Sequence, residues 1–156
     1  MIVAHANYRA IGKGNELPWN VPEDMKFFVK KTKEAKELLV GKKTRLSLPE
    51  KGLKDRTLNV LSTSFPSQGT GSVFRTLEEA IIGAKEKDMM IIGGEQIYRA
   101  FLPYVSTLFV TEIEVEVKGA DAFFPLYYDD FELEDIIEKG VSNGTTYTIK
   151  QYKRRL

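Results

Sequence analysis

Two adjacent carboxylates, Glu23 and Asp24, stand at the start of an apolar helical pattern and close to the only tryptophan of the chain, Trp19. Each gains about 0.3 to 1 kcal/mol from the positive end of a helix dipole, which is reason enough for an acid in a first turn. On a 3.6-residue period Glu23 points to the solvated side, whereas Asp24 leans onto the apolar face. An ionised carboxylate there must find partners or take up a proton. Asp24 is therefore the candidate catalytic acid, and Glu23 is assigned no chemistry.

Glycine follows two predicted strands at the point where each turns into a helix. In MIIGGEQIY, Gly93 and Gly94 let backbone amides approach a ligand, and the next helix offers its N-terminus to a phosphate. In LLVGKKT, Lys42 and Lys43 begin a helix where cations gain nothing from the dipole, which indicates an anionic ligand or a solvated end. The GxGxxG fingerprint of dinucleotide-binding folds is absent, so a plain strand-to-helix turn stays an alternative for the glycine pair.

The residue types that the chain lacks exclude several kinds of site. It contains no cysteine, and His5 is its only histidine, which excludes thiolate nucleophiles, cysteine zinc sites and two-histidine zinc motifs. A Ser/His/Asp triad would depend on His5, which we interpret as a histidine that is packed or half-exposed on the first strand. No apolar run approaches the roughly 20 residues that span a bilayer, and no secretory signal pattern is visible. We therefore expect a cytoplasmic protein with no membrane partner.

The net charge is only +1, but the charges are unevenly spread. Residues 26–56 hold eleven Lys and Arg against four Asp and Glu, whereas residues 112–138 hold ten acids against one lysine. The basic segment is suited to an anionic ligand or is simply a solvated surface. Because no aromatic residue between Phe28 and Phe65 offers a platform for stacking bases, nucleic acid is not an expected partner. A small phosphorylated or carboxylated ligand is expected instead.

Short apolar runs alternate with helical patterns along most of the chain, and Asn143 with Gly144 gives a strong hairpin signal near its end. This order predicts an α/β fold with a mainly parallel sheet of about eight strands, helices on both faces and a C-terminal antiparallel hairpin. With no linker or repeat visible, residues 1–156 are expected to form a single domain. Sheets of this class bind ligands at the carboxyl ends of their strands, so the loops there should carry the chemistry.

Five segments in order carry a resemblance to a known family. They are AIGKGNELPWNVPEDMKFF, VGKKT, LKDRTLNVLS, MIIGGEQIYRAFLP and LFVTEIEVEVKGADAFFP. The first contains the pattern IGxxxxLPWxxxxDxxxF at its usual distance from the N-terminus. Together the segments run through nearly the whole chain with the expected spacing, and in this they resemble the dihydrofolate reductase family.

The resemblance implies NADPH-dependent reduction of 7,8-dihydrofolate to tetrahydrofolate, with hydride transfer to C6 of the pterin and protonation at N5. Asp24 matches the active-site acid, which favours N5 protonation through water, Thr111 matches the residue that supports this acid, and Trp19 belongs to the same catalytic set. Arg56 matches the arginine that grips the glutamate carboxylate of the substrate. The substrate-binding residues implied are Ile2, Val3, Asp24, Met25, Phe28, Leu53, Arg56 and Ile92.

For the cofactor, the resemblance implies that NADPH phosphates lie at the lysine-bearing helix start and at the glycine pair, which is usually joined by a cis peptide. The cofactor-binding residues implied are Ala4, Ile11, Gly12, Lys42, Lys43, Thr44, Ser62, Thr63, Gly93, Gly94, Glu95, Gln96, Ile97 and Tyr98. Residues 12–19 match a loop that closes over the nicotinamide. The family further implies a monomer that needs no metal and binds antifolate inhibitors.

The chain departs from the family pattern at several positions. Arg45 and Leu46 replace an aromatic residue and a glutamate, Asp55 precedes Arg56 and could compete for its guanidinium, and Glu95 stands close to the cofactor phosphates. Two alternatives stay open. One is a reductase of the same fold that acts on a riboflavin-pathway pyrimidine, which shares the glycine pair but not the spacing of the tryptophan and the acid. The other is a non-catalytic anion-binding domain.

Overall fold

The computed structural model describes residues 1–14, 18–67 and 71–156. The helices are α1 (Pro22–Ala35), α2 (Lys42–Ser47), α3 (Leu77–Glu86) and α4 (Glu95–Phe101), with short 3-10 turns at Asn7–Arg9 and Leu102–Tyr104. The strands are β1 (Ile2–His5), β2 (Ala10–Gly12), β3 (Glu37–Gly41), β4 (Thr57–Leu61), β5 (Val73–Phe74), β6 (Met90–Ile91), β7 (Thr107–Ile113), β8 (Ala122–Phe123), β9 (Phe131–Ser142) and β10 (Thr145–Arg154).

The chain forms two compact units. The first, unit 1, comprises Met1–Phe28 and Val105–Leu156, and the second, unit 2, comprises Val29–Tyr104. The chain thus leaves unit 1 within α1 and returns to it before β7. The single domain expected over residues 1–156 stays a prediction.

Unit 1 contains a four-stranded sheet with the order β1-β7-β10-β9. β1 runs parallel to β7 and places Ala4 opposite Thr111, while β10 is antiparallel to both of its neighbours. The hairpin predicted at Asn143 and Gly144 is confirmed, and both residues have positive φ (52° and 79°), as a tight two-residue turn requires. A second, two-stranded sheet pairs β2 with β8, which the sequence did not predict.

Unit 2 contains a four-stranded sheet with the order β5-β4-β3-β6, in which all pairings are parallel. Its central strand carries Leu38, Leu39 and Val40, all fully buried, as expected for a strand covered on both faces. Parallel strands end at the same edge of a sheet, so α2 after β3 and α4 after β6 begin at a common edge. This edge brings the two glycine turns together.

The α/β class is confirmed, with parallel and antiparallel pairing mixed in sheets of four, two and four strands among the described residues. The count of about eight strands and the mainly parallel character of one sheet are not confirmed. Within the same residues no helix has the length and apolar character to cross a bilayer. The interpretation of His5 as a packed residue is confirmed: its side chain is buried, and Nε2 lies 3.0 Å from the Tyr127 hydroxyl.

Candidate active site

Asp24 lies in the first turn of α1, half-buried, and its carboxylate accepts a hydrogen bond from the Thr111 hydroxyl. Thr111 is only 2% exposed on β7, where it lies between Ala4 of β1 and Ile149 of β10. Burial raises the pKa of Asp24 above its usual value, and the hydrogen bond from Thr111 lowers it by less. A carboxyl with a raised pKa holds a proton closer to neutral pH, which suits an acid that assists protonation of a ligand.

Trp19 packs against the core of unit 1. It contacts a buried cluster formed by Val21, Ile113, Tyr147 and Ile149, against which Ala4 also packs. The indole therefore fixes the chain just before α1 to the middle of the sheet. Trp19, Asp24, Thr111 and Ala4 accordingly belong to one region of unit 1.

The remaining residues predicted to bind the substrate fall in both units. In unit 1, Ile2 and Val3 are buried in β1, and Phe28 is half-buried in α1. Met25, also predicted to bind the substrate, is 52% exposed in α1. In unit 2, Ile92 is 8% exposed directly after β6. Leu53 in the same unit is half-buried in the loop before β4.

Arg56 is held in place by two hydrogen bonds. Its Nε donates to the Lys54 carbonyl over 3.0 Å, and its Nη1 donates to the Thr32 hydroxyl of α1 over 3.0 Å. The neighbouring Asp55, expected to compete for the guanidinium, has a positive φ of 64° and lies 3.9 Å from the Lys33 ammonium. Asp55 thus pairs with Lys33, and the fixed guanidinium of Arg56 suits a planar carboxylate.

Glu23 is not on the solvated side of α1, and that prediction is wrong. The residue is half-buried, and its Oε2 atom is buried. The hydroxyl of Ser142, the last residue of β9, favours the ionised carboxylate and is the main cause that lowers the pKa of Glu23. A helical wheel assigns residues to faces of an isolated helix and cannot include the end of a strand that packs beside the first turn.

In unit 2, the two glycine turns form a tight cradle. The Gly41 amide donates to the Gly93 carbonyl over 2.9 Å, and the expected cis peptide between Gly93 and Gly94 is present. A Cβ on Gly94 would lie 2.9 Å from the Thr44 hydroxyl, and a Cβ on Gly41 would lie 2.8 Å from Ile97. The backbones of α2 and α4 therefore begin so close together that side chains at these glycines would not fit.

Polar side chains line the same edge of the unit 2 sheet. The exposed Lys42 donates from Nζ to the Ser64 hydroxyl over 2.8 Å, and the Ser62 hydroxyl accepts from the amides of Ser64 and Phe65. Two exposed neighbours, Lys43 and Thr63, also lie at this edge. Cationic and hydroxyl donors beside two helix N-termini can hold the phosphates of a dinucleotide, so the residues present fit NADPH.

The sequence did not identify Arg75, which organises the loop after β4. Its guanidinium donates to the carbonyls of Ser62 and Phe65 over 3.1 and 2.7 Å and to the Ser67 hydroxyl over 3.3 Å. In the sequence, Arg75 directly precedes Thr76, the N-cap of α3, and belongs to no recognisable motif. Arg75 therefore supports the serine-bearing side of the cradle.

Two of the other residues predicted to bind the cofactor, Glu95 and Tyr98, contact neighbouring residues of unit 2. Glu95 lies 3.7 Å from Arg99, one turn further along α4, so its charge is offset within the helix. The Tyr98 hydroxyl donates to the Ile92 carbonyl over 3.0 Å, and Gln96 is exposed.

Ile11 and Gly12 lie in β2 of unit 1. Beyond them, the amide of Gly14 donates to the Asp121 carboxylate over 2.9 Å. Residues 15–17 of the predicted closing loop lie outside the described residues.

Comparisons with known proteins agree along the length of the chain. A family model described as dihydrofolate reductase matches residues 1–154. Among curated relatives, proteins named dihydrofolate reductase from Neisseria meningitidis and Staphylococcus haemolyticus are each 35% identical and match 99% of this chain and 96% and 94% of their own lengths. A further relative of that name from Haemophilus influenzae is 34% identical over 86% of this chain and 83% of its own length.

Proposed function

The chain belongs to the dihydrofolate reductase family, and from this premise we propose which of its residues carry the reaction. The enzyme reduces 7,8-dihydrofolate to 5,6,7,8-tetrahydrofolate with NADPH. When bound, NADPH supplies the hydride that C6 of the pterin receives, and N5 gains a proton. The protein has to orient the pterin, exclude water from the reacting atoms and favour the protonated form of N5.

Asp24 is the residue that favours N5 protonation. The observation that carries this role is the half-buried carboxylate that hydrogen-bonds a buried threonine and has a raised pKa. A carboxyl that holds its proton closer to neutral pH can pass it through water towards the pterin edge, which makes protonation at N5 easier. Thr111 orients this carboxylate, and Trp19 holds the chain ahead of α1.

Arg56 binds the glutamate carboxylate of the substrate. Its two hydrogen bonds, to Lys54 and Thr32, support this role because they hold the guanidinium in one orientation before the ligand arrives. The apolar residues assigned to the substrate are Ile2, Val3, Met25, Phe28, Leu53 and Ile92.

The cradle of unit 2 binds the NADPH phosphates. Lys42 and Lys43 supply positive charge, Thr44 and Ser62 supply hydroxyl groups, and Gly93 to Tyr98 supply backbone amides at a helix start. The close approach of Gly41 and Gly94 to α2 and α4 supports this role. Ala4, Ile11 and Gly12 contact the nicotinamide end.

Several coarser features belong to the same proposal. The chain acts as a single-domain cytoplasmic monomer that binds antifolate inhibitors in its pterin site. The all-parallel sheet of unit 2 and the parallel pair of β1 with β7 support the mainly parallel character of the α/β fold.

The role of Asp24 is tested by Asp24→Asn in a turnover assay with NADPH and dihydrofolate at neutral pH. The rate should fall and should partly recover as the pH falls, because the substrate then protonates without help. Asp129→Asn, at an exposed aspartate, is the matched control and should retain the rate. An unchanged rate for Asp24→Asn at pH 7 would refute the role.

A further inference from the structure

We propose that Arg45 is a positioning residue for the substrate, because its guanidinium fixes the loop that carries Leu53. The inference rests on the proposed function, in which Leu53 is one of the apolar residues that contact dihydrofolate. Arg45 stands where the family pattern has an aromatic residue, so the family itself implies no role for this arginine.

The guanidinium of Arg45 binds two successive backbone carbonyls. Nη1 donates to the Pro49 carbonyl over 3.1 Å, and Nη2 donates to the Glu50 carbonyl over 3.1 Å. Arg45 lies in the last turn of α2, where the helix dipole favours a cation. The planar fork of an arginine reaches two adjacent acceptors at once, whereas a lysine ammonium has no fixed pair of donors. The guanidinium therefore ties the end of α2 to the loop that follows it.

The loop between α2 and β4 contains two successive turns. In the first turn, the amide of Gly52 donates to the Pro49 carbonyl over 2.8 Å. Gly52 has a positive φ of 79°, which a glycine adopts without strain. In the second turn, the amide of Arg56 donates to the Leu53 carbonyl over 3.2 Å. Leu53 therefore lies at the junction of the two turns.

A different arginine holds each of these two turns. Arg45 binds two carbonyls of the first turn. Arg56 binds the Lys54 carbonyl of the second turn and also donates to the Thr32 hydroxyl. In the proposed function Arg56 contacts the substrate directly, whereas Arg45 acts through the backbone of the loop. The position of the half-buried Leu53 between the two turns depends on both guanidinium groups.

Loss of the Arg45 guanidinium should loosen the loop without unfolding the protein. Pro49 and Glu50 are exposed, so water can replace the guanidinium at their carbonyls. The loop then loses a fixed connection to α2 and occupies more conformations. A substrate that contacts Leu53 has to order this loop when it binds, which weakens its affinity. The effect of Arg45 should therefore appear in substrate binding.

The test compares Arg45→Ala with the wild type in steady-state turnover with NADPH and dihydrofolate. KM for dihydrofolate should rise by about fivefold, the size expected for the net loss of a typical hydrogen bond, while kcat changes by less than about twofold. KM for NADPH should also stay within about twofold, because Lys42 and Lys43 lie at the opposite end of α2. Equal increases in both KM values would indicate a general disruption of α2 and would overturn the inference.

The rival explanation is attraction between the positive charge of Arg45 and the anionic tail of the substrate. Arg45→Lys keeps the charge but loses the fork, so it should raise KM for dihydrofolate nearly as much as Arg45→Ala. Lys51→Ala removes a charge from an exposed residue of the same loop and should retain the wild-type KM. A wild-type KM for Arg45→Lys, or a raised KM for Lys51→Ala, would overturn the positioning role. Arg45→Lys is the milder change and decides the inference if Arg45→Ala does not fold.

Leu53→Ala tests the connection between Arg45 and the substrate. Alone, it should raise KM for dihydrofolate. In this background Arg45→Ala should add less than about twofold, because the side chain that it positions is gone. A further fivefold increase there, or no increase from Arg45→Ala in the wild type, would overturn the inference and leave the proposed function intact. An unchanged KM for Leu53→Ala alone would refute the proposed role of Leu53 and the inference with it.

Discussion

Thr111→Val should destabilise the protein more at neutral pH than in acid. Thr111 is 2% exposed and donates to the Asp24 carboxylate, whose pKa burial raises. The pKa of Asp24 is higher in the folded protein than in the unfolded protein. Asp24 therefore contributes most to the free energy of unfolding at a pH below both pKa values. This contribution is lost as the pH rises through the pKa of the folded state. Without the Thr111 hydroxyl the ionised carboxylate has no partner on β7. The free energy of unfolding at neutral pH therefore falls further.

The magnitude follows from the two protonation states. A hydrogen bond to an ionised group contributes about 1.5 to 3 kcal/mol, whereas a bond between neutral groups contributes about 0.5 to 1.5 kcal/mol. Thr111→Val should therefore lower the free energy of unfolding by roughly 1 kcal/mol more at about pH 7.5 than at about pH 4.5. Urea titrations at both pH values measure the difference.

Thr148→Val is the matched control for this experiment. Thr148 is 8% exposed on the neighbouring strand and lies opposite Glu112 instead of Asp24. Its cost should not follow the titration of Asp24. If Thr111→Val had the same cost at both pH values, the hydroxyl would not be bound to an ionised carboxylate, and the reasoning would be refuted.

Three further predictions concern the cofactor and the substrate tail. Lys42→Ala should raise KM for NADPH by about tenfold but KM for NADH far less, because only NADPH carries the 2'-phosphate; equal effects would move Lys42 off that site. Gly94→Ala should weaken NADPH binding and lower the thermal midpoint, because its Cβ would meet a hydroxyl at 2.9 Å; retention of both would contradict the cradle. Asp55→Asn should leave KM for dihydrofolate within about twofold, because Asp55 pairs with Lys33 and does not occupy Arg56. A severalfold drop in KM would show competition.

Local patterns in the sequence predicted much of this structure. The glycine turns at Gly93 and Gly94 and the hairpin at Asn143 depend on residues whose backbone needs are visible in the chain itself. The apolar run Leu38 to Val40 likewise predicted a buried parallel strand. The short pair of β2 with β8 was missed because strands of two or three residues have no measurable periodicity.

The candidate site was harder to predict where it depends on contacts between distant segments. Periodicity singled out Asp24, but its hydrogen bond to Thr111 was reached only through the family resemblance. The Ser142 hydroxyl lowers the pKa of Glu23, and no pattern near either residue indicates the other. Arg75 shows the same limit, because its three acceptors lie in a loop whose shape cannot be read from the residues alone.

The most direct test of the central claim is the pH dependence of hydride transfer in a single turnover, measured for the wild type and for Asp24→Asn. The account predicts that the wild-type rate falls above an apparent pKa higher than that of an ordinary aspartate, because burial raises the pKa of Asp24. Asp24→Asn should lose most of the rate at neutral pH and regain part of it only in acid. Superimposable profiles for the two proteins would contradict the account.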